Sequence, residues 1–199
     1  MRNDAGGLFA SGTIQASELG LQDGDRYTVV EKVDRTFNGK DNNSYALVKI
    51  TNSINEKINN LPVNANQQFE YSIDTNGINY KGSQSNSATI TNIYKPTHTI
   101  KVTKNVEGKF GERDKPFKFT LTLSEAAVSY NDSYFPDDRK VTSDGSTYSF
   151  SLIHNESIEF VVPDGCTASV SEDNYSSEGY VTTWNSEINN VVISEDKST

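Results

Sequence analysis

Apolar and polar residues alternate with a period of two along most of this 199-residue chain. The alternation, enriched in β-branched and aromatic residues, predicts strands over 12–16, 26–31, 46–50, 69–73, 87–94, 99–106, 117–123, 147–153, 157–162, 167–172, 179–184 and 190–194. Asp23-Gly24, Asn76-Gly77 and Asp164-Gly165 supply turns between them. Helical spacing occurs only over 51–60, where Ile54 and Ile58 stand four apart, and it reads as an inserted loop or a short helical turn. The pattern predicts an all-β protein of two tandem Ig-like β-sandwich modules. Pro96 follows one predicted strand and precedes another. This divides the chain into a first module over 1–95, a linker at 96–98 and a second module over 99–199.

One internal repeat stands out, because residues 23–31 align without a gap on residues 164–172. In each copy a valine, Val29 or Val170, lies two positions before a glutamate, Glu31 or Glu172, so both share one strand face. Burying a carboxylate on an apolar face is costly unless it is protonated or partnered. At the opening of the second module, alternation places Ile100, Val102, Lys104 and Val106 on one face, which makes Lys104 an inward lysine. Lys101 takes the wet face. At the end of the first module Ala88, Ile90 and Asn92 share a face in the same way.

A buried lysine, glutamate and asparagine can join covalently. Desolvation favours the neutral amine and the protonated acid. The amine attacks the carboxamide carbon while the acid hydrogen-bonds its oxygen and shuttles the proton that lets ammonia leave. The fold supplies the effective concentration that an unreactive amide needs. A plain buried ion pair or a snorkelling lysine is the simpler use of the same residues.

Composition narrows the field further. A formal charge of -9, and a basic stretch at 101–118 that is interleaved with acids, disfavour nucleic acid as a partner. The lone Cys166 has no internal disulfide partner and reads as a buried thiol. No apolar run reaches membrane-spanning length, and the first residues lack the charged-then-apolar order of a signal peptide, so neither membrane insertion nor a targeting or anchoring element is expected here. His98 and His154 lie far apart, without metal-ligand spacing, and read as surface residues; Asp23 and Asp25 read as turn chemistry. No cofactor and no metal are expected. Trp184 with Tyr180 reads as sandwich core or rim before a sugar platform.

Residues 99–199 resemble the C-terminal domain of the streptococcal major pilin and the B-type repeats of collagen adhesins. The resemblance rests on Thr99 to Gly108 with the following Gly111 to Lys115, on Phe117 to Leu123, on Tyr148 to Leu152, on Asn155 to Ile158, and on Ser171 to Tyr175 leading to Gly179 to Thr183. It implies that Lys104 is a cross-linking lysine and Glu172 the acid that promotes the bond, with Glu31 as acid and Asn92 as acceptor in the first module. It further implies an extracellular, cell-wall-associated pilin or adhesin segment of a Gram-positive bacterium, not an enzyme beyond one intramolecular turnover. Its expected partners are neighbouring modules or pilin subunits. The alternative is an adhesin head that binds a host matrix protein or glycan through segments 36–60 and 126–144. Lys104 precedes Glu172 by 68 residues, whereas the 30 residues before Glu31 contain no lysine. Asn92 follows Glu31 by 61 residues, whereas 27 residues follow Glu172. Each module is thus expected to lack one terminal strand, as in a piece of a longer tandem array, with Asn189 or Asn190 as the weaker substitute acceptor.

Overall fold

The computed structural model describes residues 18, 20, 22–25, 29–52, 68–73, 90–185 and 191–194. These are all-β: antiparallel strands and two short 3-10 turns, with no α-helix among the described residues. The chain divides into two compact units, with the break between Lys95 and Pro96. The expected strand at 12–16 and residues 26–28 lie outside the described residues.

In the first unit, β1 (Val29–Asp34) pairs with a later strand at Gln68–Ile73, which places Glu31 opposite Tyr71. Between them, β2 (Thr36–Asn38) and β3 (Ser44–Asn52) form a hairpin with Thr36 opposite Ala46. Its turn is tied by Asp41, whose carboxylate accepts the Tyr45 hydroxyl at 2.6 Å and the Asn43 N–H at 3.3 Å. Phe37 stacks on Tyr45 with ring centroids 5.2 Å apart, and Ala46, Leu47 and Ile50 are fully buried. Much of the segment expected to be a recognition loop is therefore paired strand, too briefly patterned at 36–38 to register as one. Residues 53–60 lie outside the described residues. The strand at Gln68–Ile73 is β4.

The linker expected at 96–98 is not a linker. Strand β5 (Ile90–Thr103) runs through it without a break. It neighbours β3, and from Thr97 to Thr103 it pairs with β10 (Ser157–Pro163), with Thr97 opposite Pro163 and His98 opposite Val162. Pro96 sits one residue ahead of that ladder, where a missing N–H leaves no rung empty, and its carbonyl accepts the Asp164 N–H at 2.8 Å. His98 is no surface residue either: its side chain is 11% exposed and Nε2 lies 2.9 Å from Asp164 Oδ1.

The second unit is a sandwich. In one layer β10 lies between β5 and β7 (Ser129–Tyr130). The other layer has the order β12-β11-β6-β9-β8, made of β6 (Phe117–Leu123), β8 (Thr142–Ser143), β9 (Thr147–Leu152), β11 (Thr167–Glu172) and β12 (Val191–Val192). Alternate residues of β6, Phe117, Phe119, Leu121 and Leu123, face a core completed by Phe150, Leu152, Ile158, Phe160 and Val162. Tyr148 is fully buried at its centre. Its ring lies edge-on to Phe160 at 5.4 Å, and its hydroxyl accepts the Ala127 N–H at 2.8 Å. Segment 126–144 also feeds this core through Ala127, Val128 and Phe135, so it is only partly the free loop expected of it. Cys166 is fully buried.

The strand expected at 179–184 is absent. A 3-10 turn, Ser176–Glu178, closes on Gly179 in the left-handed region at φ 86°, and 180–184 continue without ladder pairing. Alternation alone does not make a strand where no backbone edge offers hydrogen bonds.

Candidate cross-linking site

Lys104 follows β5 directly and keeps its alternation. Its N–H donates to Glu156 O at 2.9 Å and its carbonyl accepts the Asn155 N–H at 2.8 Å, so the backbone is held on the β10 side while the side chain turns between the layers. Glu172 is the last residue of β11, opposite Phe119 of β6. The fold brings the two together: Lys104 Nζ donates to Glu172 Oε1 at 2.5 Å. The lysine side chain is 14% exposed and the glutamate 2%, so water barely competes for the contact. The other carboxylate oxygen, Oε2, accepts the Thr182 hydroxyl at 2.8 Å, and the Phe117 ring lies 4.1 Å from Nζ. Both oxygens and one face of the amine are thereby fixed, which is how a buried charge-bearing pair is satisfied.

A cleft of about 560 Å³ reaches this pair. It is lined by every residue from 101 to 107, together with Phe117, Glu172 and the 179–185 segment. Lys101 to Thr103 end β5, and Lys104 to Glu107 continue along the cleft beyond the strand.

The remaining expected residues are placed differently. Glu31 lies in β1, and its side chain is outside what the structure describes. Asn92 lies half-buried in the part of β5 that belongs to the first unit. Asn189 and Asn190 lie outside the described residues. The structure thus unites Lys104 with Glu172. His154, expected at the surface, is half-buried: its Nδ1 accepts the Val106 N–H at 2.9 Å and its Nε2 meets Arg113, holding the backbone just past Lys104. Phe117 and Thr182 complete the site without any prior signal, since one reads as ordinary core and the other sits in a segment that pattern assigns to a strand.

The sandwich and its interlayer lysine–glutamate pair define an all-β module with a chemically paired site that a cleft reaches. Residues 98–199 match the family described as Domain of unknown function (DUF7601), and the chain belongs to that family. No curated protein matches the chain.

Proposed function

We propose that the chain is a structural segment of an extracellular Gram-positive pilin or adhesin, stacked on neighbouring modules or subunits and stabilised by a self-made amide cross-link from Lys104. The observation that carries this reading is the 2.5 Å contact between Lys104 Nζ and Glu172 Oε1 in a nearly water-free setting. In that setting the Glu172 carboxylate takes a proton from the Lys104 ammonium, the free amine attacks the side-chain carboxamide carbon of an asparagine, and the protonated Glu172 donates a hydrogen bond to the developing oxyanion. Nζ–C forms, C–N breaks, the departing nitrogen takes one proton from Nζ and one from Glu172, ammonium leaves, and the Glu172 carboxylate is regenerated. One turnover is the whole reaction, and no cofactor takes part. The cleft beside Lys104 gives an asparagine side chain a way to reach the amine. Glu31 and Asn92 take the acid and acceptor roles for the first module.

Intact-mass spectrometry of the full-length parent tests this. The expected result is a mass short by one ammonia for the second module, restored to the full value by Glu172→Ala and by Lys104→Ala. Full mass in the wild type, or a deficit that survives Glu172→Ala, rules the cross-link out.

A further inference from the structure

The outward face of the β12-β11-β6-β9-β8 layer carries a pattern that the cross-link does not use. Because Phe119, Leu121, Tyr148, Phe150, Ala168 and Val170 point inward, the residues between them point out. In register, Ser171, Thr120 and Ser149 form one row across β11, β6 and β9, and Ser169, Thr122 and Thr147 form the next. Thr142 extends the first row onto β8. No charged residue occupies either row. The result is a flat grid of hydroxyls, about 4.8 Å apart between strands and about 7 Å apart along them.

The grid runs into a second cleft, of about 530 Å³. Thr122, Ser169 and Ser171 form its near border, and Asp173, Asn174 and Trp184 stand on its other sides. Trp184 is 39% exposed, and its ring is braced edge-on against Phe119 at 6.4 Å. We infer that this face and cleft bind a neutral polysaccharide. Each Ser or Thr hydroxyl both donates and accepts, as sugar hydroxyls do, and Asp173 and Asn174 add the stronger acceptor and the amide. A braced indole offers the apolar face on which a sugar ring stacks. A net charge of -9 repels anionic polymers and proteins. The cleft shares Glu172 and Thr182 with the Lys104 site, but the assignment does not depend on whether a bond is drawn from Lys104.

Trp184 is the only tryptophan in the chain, so its emission reports on the cleft directly. The full chain should be retained by at least one of cellulose, chitin and insoluble α-glucan, with retention unchanged by added salt. A soluble oligosaccharide of the retaining polymer should shift Trp184 emission. Trp184→Ala should weaken retention roughly three- to tenfold. Thr122→Arg and Ser171→Arg, which keep the inward core and the circular-dichroism spectrum, should abolish it. Retention by none of the three polymers, or equal retention of the arginine variants, overturns the assignment. Self-association of the chain that Thr122→Arg abolishes would give the face to a second copy and overturn it equally.

Discussion

Tyr148 shows how much one side chain holds. Its hydroxyl accepts the buried Ala127 N–H at 2.8 Å and donates to Gly145 O at 3.2 Å. Burial also pushes its phenol above the ordinary tyrosine range. Tyr148→Phe keeps the ring and strands the amide, so urea unfolding should show a loss of about 1–3 kcal/mol. A loss near zero would mean that the Ala127 segment re-pairs on its own. The inward position of Lys104 was legible in the sequence because its segment alternates strictly. The partners of Lys104 were not, since Thr182 and Phe117 approach from other elements and no local pattern encodes that meeting. The two histidines were misread for the same reason: their protectors, Asp164 and the Val106 N–H, are distant in sequence.

Among elements, β6 and β11 begin and end where the pattern places them, because both are central to their layer and packed on one face. Errors fell where pairing, not pattern, decides. Proline stops donation at one position but does not end β5, and 179–184 alternate without a partner edge. The segment bearing the 3-10 turn Asp137–Arg139 is tied down by charge instead. Arg139 grips Glu156 through two hydrogen bonds, one of them Nη2 to Oε1 at 3.0 Å, and the Ile153 N–H reaches Oε2 at 2.9 Å. Burial pushes the Glu156 carboxyl up, but Arg139 and the Ile153 N–H together outweigh it and hold it below the ordinary glutamate range. A carboxyl lowered on folding adds stability above its unfolded value, about 4.3, and loses it as pH falls through the folded value. Stability should therefore drop on acidification below that point, and Glu156→Gln should flatten this part of a denaturant-midpoint profile against pH. An unchanged profile would show that the clamp contributes nothing.

For the whole molecule no internal disulfide contributes to stability, since the chain has a single cysteine. Cys166 lies at 0% exposure in the turn between β10 and β11, so thiol labelling should proceed only as fast as the second unit opens globally. Reductant should leave the melting temperature unchanged. Labelling much faster than unfolding would reveal a local opening of that turn. The all-β class was readable from alternation, whereas the meeting of Lys104 with Glu172 emerges only in three dimensions.

The 68 residues between Lys104 and Glu172 carry a consequence of their own. A contact that joins two layers across such a stretch of chain pays a large loop-closure entropy, so it forms late, after the hairpins and the core. Misfolded or half-assembled copies never present the pair. Any permanent bond drawn from Lys104 would thus act as a seal of inspection, applied only to molecules that had already reached the correct fold.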